Sequence, residues 1–416
     1  MVDRTEIASA VEVYRGQAVA WLCDLIRFPS VQGHEAEAQA YVLRTMRELG
    51  LEAEPRPIPE TLVEDSEYSF SDDRQPYEGR PNVVGRLESA GGGRSIILQS
   101  HTDVVPAANW DEAFQPRIEG DRVIGRGACD AKGQIVTIWV ALAALKDLGV
   151  RLAGPVEVQA VIEEEVGGNG ALALIRQGCR ADGVVIVEGS SFNVFPANRG
   201  AIWFRARTTG RSTHMGRRHE GVNAIEKMVE AILRLLDYEK RLIEESRGQP
   251  LFARYENPVQ LCLGTIRADG WPSMVAGECV LEGGVGFLPN KTMAQVKREL
   301  WEAVMATEDE WLREHFELTF PKLHNDTYQI DPNHPLPVTL NEAVRECGLA
   351  SEIFGWNVSC DARLYAKLAG LPTVVYGPGD VAQAHSAGES ISINDILAAA
   401  RGLAWFLMRW CGYEGG

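Results

Sequence analysis

From residue 7 to residue 28, in "IASAVEVYRGQAVAWLCDLIRF", apolar side chains return every three or four positions, and the same spacing fills "HEAEAQAYVLRTMRELG" up to Gly50. That period is helical, and the glycine ends the second stretch as a helix cap would. Short runs of another kind then alternate with helical ones. "RPNVVGRL", "RSIILQS", "GPVEVQAVIEE" and "DGVVIVEG" read as strands, while "GQIVTIWVALAALKDLG" and "GALALIRQG" read as helices. The texture returns near the C-terminus in "DARLYAKLAG", "LPTVVYGPG" and the helix "INDILAAARGLAWFLMRW". Such alternation predicts an α/β fold, with a mixed, mostly parallel sheet covered by helices on both faces.

Between residues 199 and 323 the order changes. A strand "RGAIWFRARTTG", a long helix "GVNAIEKMVEAILRLLDYEKRLIEES", strands "PVQLCLGTIR" and "ECVLEGGVGF", a helix "TMAQVKRELWEAVMATEDEWLREH" and a strand "FELTFPK" make a β-α-β-β-α-β unit. This is a complete two-layer α+β domain, and the first sheet resumes after it. The pattern therefore predicts a discontinuous domain, 1–198 with 324–416, interrupted by an inserted domain, 199–323. The acidic stretch from 59 to 79, "PETLVEDSEYSFSDDRQPYEG", reads as a long surface loop.

Composition narrows the function classes. At 416 residues, 45% hydrophobic and 24% charged, the chain can bury a large core. A formal charge of −17 without a Lys/Arg cluster opposes nucleic acid and anionic membrane surfaces as partners. The first residues lack the pattern of a signal peptide, and the longest apolar run, 135–145, falls short of a membrane span. The cytoplasm is the expected location. Eight well-separated cysteines form no C-x-x-C pair, which argues against a zinc ribbon or a disulfide framework.

The chemistry begins at "LQSHTDVVP", where an apolar strand ends in His101 and Asp103, two residues apart and so on one side of an extended chain. A neutral imidazole that ligates a metal commonly gives its other N–H to a nearby carboxylate. Four more segments place metal-type residues just after predicted strands: Asp130 in "GRGACDAKG", Glu163, Glu164 and Glu165 in "VIEEEVGG", Glu188 in "VVIVEGSS" and His385 in "GPGDVAQAHSAGE". Singly, each is an ordinary turn or strand-end residue. In an open α/β sheet the ligand crevice lies beyond the carboxyl ends of the strands, so all five point to one place. His34, His219, His315, His324 and His334 lack that context. Two histidines with three carboxylates suit two divalent ions of the zinc type, which lower the pKa of a shared water toward roughly 7. A carboxylate beside a ligand carboxylate can serve as the general base.

With "SHTDVVP", "GRGACDAKG", "EEEVGG", "VEG", "STHMG", "GVNAI" and "GPGDVAQAH" in this order, the chain resembles the acetylornithine deacetylase, succinyl-diaminopimelate desuccinylase, aminoacylase and glutamate carboxypeptidase family of dinuclear metallohydrolases. The resemblance implies one metal site completed by His101 and Glu188, another by Glu165 and His385, and Asp130 bridging both. It implies that Asp103 orients His101, that Glu164 is the general base, and that the Asp130–Ala131 peptide is cis. His214, in "GRSTHMG", would reach across a homodimer formed by the inserted lid domain and stabilise the oxyanion. Arg363, in "CDARLY", would lie near the substrate carboxylate. The cofactor would be two divalent ions per chain, zinc with cobalt or manganese as alternatives.

The resemblance has one departure. Members that bind an α-carboxylate often carry an Arg on the lid strand before a Pro, whereas here "GGVGFLP" puts Gly286 in that place. A carboxylate needs a guanidinium or an equivalent, so the substrate lacks the group or Arg217, Arg218 or Arg363 takes it. The expected activity is removal of a short acetyl, succinyl or formyl group from a small-molecule amine or amino acid by metal-activated hydroxide. A dipeptidase or carboxypeptidase with the same site is the alternative enzyme, and a non-catalytic scaffold on the same fold is the alternative of another class.

Overall fold

The computed structural model describes residues 2–414. The chain forms two compact units, Met1–Pro196 with Gln329–Phe354 and Cys360–Gly416, and Ala197–Tyr328 with Gly355–Ser359.

The first unit is an α/β layer structure. Its sheet runs in the order Glu52–Arg56, Asn82–Leu87, Val156–Val161, Ile96–His101, Val184–Ile186, Thr373–Val375, Val194–Asn198. The four strands from Val156–Val161 to Thr373–Val375 are mutually parallel. Antiparallel strands flank them on both sides. The sheet is therefore mixed as expected, with its parallel part confined to the centre. Every residue of Ile96–His101 is buried, as a strand covered on both faces requires.

The helix Gly133–Asp147 is buried without interruption from Gly133 to Leu145, and Trp139 is fully enclosed. A helix apolar all round belongs in a core or in a membrane. Residues 128–147 are long and apolar enough to cross a bilayer, yet 94% of their most apolar window is covered by the rest of the protein. It is a core helix. Ile393–Cys411 packs beside it, its 3/4 spacing placing Ile396, Leu403 and Leu407 in the same cluster.

Some local expectations fail for physical reasons. The N-terminal periodic stretch is two helices, Arg4–Val13 and Arg15–Arg27, because Tyr14 leaves helical geometry and its hydroxyl donates to Asp147. The stretch 59–79 is more than a surface loop, since Tyr68, Ser69 and Tyr77 are buried. The Asn169 amide fixes Ser69 by bonding both its N–H and its carbonyl.

The second unit has an antiparallel sheet in the order Leu261–Ala268, Glu278–Phe287, Gly200–Thr209, Phe316–Thr319. Alternation along Gly200–Thr209 sends Ile202, Phe204 and Ala206 into the core and leaves Trp203 exposed. Two helices cover the inner face. Ala224–Ser246 begins at Asn223, whose side chain accepts from the Ile225 N–H, and buries Met228, Ala231, Leu235, Tyr238 and Leu242 at helical spacing. The second expected helix is two, Met293–Met305 and Glu310–His315, because the Asp309 side chain caps a new start at the Leu312 N–H.

Candidate metal centre

Strand ends and the turns that follow them bring the sequence-flagged residues of the first unit together. His101 closes its strand with 1% of its surface exposed. Its Nδ1 lies 2.9 Å from the Asp103 carbonyl and 3.4 Å from the Asp103 Oδ1. The carbonyl is thus the nearer partner, while Asp103 Oδ2 accepts from the Glu165 N–H at 3.0 Å. On the other side of the ring, Nε2 lies 3.0 Å from Asp130 Oδ1 and 3.2 Å from Glu188 Oε1. These oxygens only accept, so Nε2 is protonated toward them unless a cation lies between. Against the effect of its burial, these carboxylates raise His101.

The second cluster shares Asp130. His385 Nε2 is 3.3 Å from Asp130 Oδ2 and 3.0 Å from Glu165 Oε2. Asp130 therefore turns one oxygen to each histidine. Its turn is held by Glu389, whose Oε1 accepts from the N–H groups of Cys129 and Asp130 and whose Oε2 is paired with Arg126. The Asp130–Ala131 peptide is cis.

His101, Asp130 and Glu188, and again Asp130, Glu165 and His385, each place one ligand atom apiece within 4.8 Å of the others. The donor set fits divalent ions. Glu165 Oε1 is buried without a hydrogen-bond partner, an expensive arrangement unless something else takes its lone pairs. Burial and the neighbouring Asp130 push Glu165 up to about 7. Burial also raises Glu188, and the bonds to Asp130 and Glu165 lift His385 to about 11. Crowded carboxylates are penalised by their own charge here, and a cation removes the penalty.

Glu164 makes no side-chain hydrogen bond among the described residues, and burial, with Asp361, Glu165 and Glu188 nearby, raises it well above the usual carboxylate range. Its loop is tightly tied: Gly167 N–H bonds to the Glu164 carbonyl and Gly168 N–H to that of Glu163. Arg363, 2% exposed, donates from Nη2 to the Gly167 carbonyl, so its guanidinium braces this loop. Asp361, beside it, accepts from Gln99 Nε2 at 2.7 Å, and burial pushes it up to about 7. Sequence reasoning passed over Asp361 and Glu389. The first lay in the segment quoted for Arg363, and nothing set the second apart from any exposed glutamate.

His214 lies in the second unit, exposed, with Nδ1 accepting from the Gly216 N–H at 3.2 Å. Its remaining nitrogen, Nε2, is then the protonated one and a donor. Arg217 and Arg218 are exposed and paired with Glu220 and Glu226. A guanidinium overlooked in the sequence, that of Arg199, lies against Gly286. Its Nη1 bonds to Gln260, its Nε is buried without a partner, and burial lowers its pKa.

Residues 97–409 match the model of peptidase family M20/M25/M40. The chain belongs to that family. It is 30% identical over 378 residues to an N-formyl-4-amino-5-aminomethyl-2-methylpyrimidine deformylase of Bacillus subtilis, covering 83% of this chain and 87% of that one. A deformylase of the same name from Halalkalibacterium halodurans is 25% identical, with 98% and 97% covered. Among solved structures, the dipeptidase Dug1p of Saccharomyces cerevisiae shares the fold with a TM-score of 0.76 at 14% identity, over 98% of each chain. A tripeptidase of Staphylococcus aureus gives 0.74 at 19% identity, over 95% of this chain and 98% of that one. The M20 chain described here is thus an amide-bond hydrolase, a deacylase in its class, with residues for a dinuclear divalent-metal centre.

Proposed function

We propose that this M20 hydrolase removes a formyl group from a small primary amine that lacks an α-carboxylate. The strand Glu278–Phe287 carries the reading: it has glycine at 283, 284 and 286, and a Cβ at 286 would stand 2.8 Å from the Arg199 guanidinium. A side chain there would have to displace the end of Arg199. The deformylase names of the two relatives point the same way.

In this reading His101, Asp130 and Glu188 would hold one ion and Asp130, Glu165 and His385 a second, with zinc favoured by the mixed imidazole and carboxylate donors and cobalt or manganese as substitutes. When bound, the ions supply an acidified water and polarise the amide carbonyl. The Asp103 carbonyl keeps the His101 ring turned with Nε2 inward. Glu164 takes the proton from the attacking water and returns it to the departing nitrogen, a task that suits a carboxylate raised by burial. Across a homodimer, the Nε2–H of His214 would be the donor for the carbonyl oxygen as it gains charge.

Assembly and location belong to the same proposal. Ile225, Val229 and Leu233 are exposed on one face of the helix Ala224–Ser246, and Leu261–Ala268 is the open edge of its sheet, which supports a homodimer through the second unit. Eight free cysteines suit the reducing cytoplasm.

A peptide-cleaving reading rests on Arg199, whose unpartnered Nε gives the second unit a guanidinium for a carboxylate. Amine release separates the two readings. N-formyl, N-acetyl and N-succinyl amines and several dipeptides are assayed with added zinc and with chelator. Chelator-sensitive cleavage of N-formyl amines, with dipeptides untouched, supports the proposal. Faster release from dipeptides refutes it.

A further inference from the structure

We propose that Glu163, clamped by Tyr77 and Arg80, is a positioning residue that aims Glu164. The inference rests on the proton-transfer reading of Glu164 and gives a task to the one member of the "EEE" triplet that neither the metal clusters nor that proton transfer uses.

In an extended run, residues 163 and 165 would share a side and 164 would face away. The chain does not stay extended. Glu163 has a φ of +60°, a conformation uncommon for a residue with a side chain, which has to be held by its surroundings. The turn breaks the alternation. Glu165 reaches His385, and Glu164 comes under the charges of His101, Asp361, Glu165 and Glu188. Glu163 points instead into a closed polar network and is fully buried.

Both oxygens of that side chain are occupied. Oε2 accepts from the Tyr77 hydroxyl at 2.8 Å and the Asn169 amide at 2.9 Å, and Oε1 faces Arg80 Nη2 at 3.3 Å and Nη1 at 3.4 Å. Arg80 is fixed in turn by Glu35 at 2.7 Å and by the carbonyls of Pro76 and Gln75. The Tyr68 and Tyr77 hydroxyls are 3.0 Å apart. Since Tyr77 spends its proton on Glu163, it accepts from Tyr68, which accepts from Arg74 Nε at 3.2 Å. The acidic strap thus ends in an ordered row of donors aimed at one carboxylate. The backbone is pinned at the Glu163 carbonyl by the Gly168 N–H and at the Glu165 N–H by Asp103, and the side-chain clamp fixes the turn where this loop starts.

Tyr77→Phe keeps the ring and removes one donor, while Glu163→Gln keeps the shape and removes the charge. Each single variant, the double variant and Glu164→Gln are assayed as full-length, metal-loaded protein on N-formylbenzylamine and formanilide, with metal content measured alongside. An alkylamine depends on proton delivery to leave more than an aniline does. The expected result is unchanged metal content, KM within about threefold, and kcat lowered at least tenfold for N-formylbenzylamine but less than threefold for formanilide. The double variant loses no more than the worse single one, because both act through one contact. Unchanged kcat in Tyr77→Phe and Glu163→Gln, with Glu164→Gln inactive, overturns the positioning role alone. An active Glu164→Gln overturns the reading beneath it. Equal loss on both substrates, or metal lost together with activity, assigns Glu163 to the fold and also overturns the proposal; should Glu163→Gln fail to fold, Tyr77→Phe decides.

Discussion

Arg199 lays its guanidinium where a side chain at residue 286 would have to go: a Cβ on Gly286 would stand 2.8 Å from its Nη1 and 3.3 Å from its Cζ. A second guanidinium there would have to move the first. Gly286→Arg is expected to bring no dipeptide cleavage and to cost about 1–3 kcal/mol through overpacking and like charge. Arg199→Met is expected to stay within about 1 kcal/mol of wild type, because the charge it removes is desolvated and, among the described residues, meets no carboxylate that shifts it. Denaturant melts of the two variants check both values. A stable Gly286→Arg that gains peptidase activity would show that the glycine merely stands in for a lost arginine.

Gly168 is the second close approach. With φ at +83°, it leaves 2.3 Å between an added Cβ and Asp361 Oδ1. Gly168→Ala meets a disfavoured backbone conformation and a buried carboxylate at once, and the loop it closes carries Glu164 and Glu165. The expected cost is about 1–3 kcal/mol, with a fall in kcat exceeding any change in KM. A melt and a kinetic comparison measure the two effects separately. Wild-type behaviour in both would mean that the loop tolerates a shift of Asp361.

The residues behind these predictions differ in how far the sequence exposed them. His101, Asp130, Glu165, Glu188 and His385 were legible because each follows a strand signal: His101 closes a strand of the large sheet and Glu165 and Glu188 follow two others within four residues, whereas Asp130 and His385 come from longer turns, the first after a strand of a separate small sheet. The second unit's sheet was legible from alternation, as in "RGAIWFRARTT", where every second residue is buried. Glu52–Arg56 was missed because Pro55 demotes a strand pattern, although an edge position tolerates it. Arg80 and Tyr77 were hidden for another reason. Their burial depends on contacts with Glu163, 83 and 86 residues away, which no local period encodes.

Removing the metal tests the centre without mutation. His101, Asp130, Glu165, Glu188 and His385 converge with an orphaned buried oxygen among them, so an ion bound only by the folded chain stabilises it. At free ion about 1,000 times above its dissociation constant the stabilisation is about 4 kcal/mol. Chelator-treated protein is expected to lose hydrolysis and melt several degrees lower, with both restored by zinc. Calorimetry with elemental analysis checks this. Metal-free protein that melts at the holoprotein's temperature would show that the clusters do not hold ions in the folded state.

The proposed dimer makes the last prediction. Val229 and Leu233 lie four residues apart on the helix Ala224–Ser246, 51% and 53% exposed, one turn from Ile225 at 42%. Apolar side chains at that spacing form a stripe, and burying each Val or Leu against a partner contributes about 1.5–3 kcal/mol. Val229→Glu with Leu233→Lys breaks the stripe and leaves the core face of Met228, Leu235 and Leu242 intact. Sedimentation is expected to give twice the chain mass for wild type and one chain mass for the double variant, with the same far-ultraviolet circular dichroism. If His214 acts across that dimer, kcat falls with the mass, whereas a purely structural dimer keeps kcat per chain. A wild-type protein already at one chain mass at micromolar concentration would remove both the dimer and the cross-subunit role of His214.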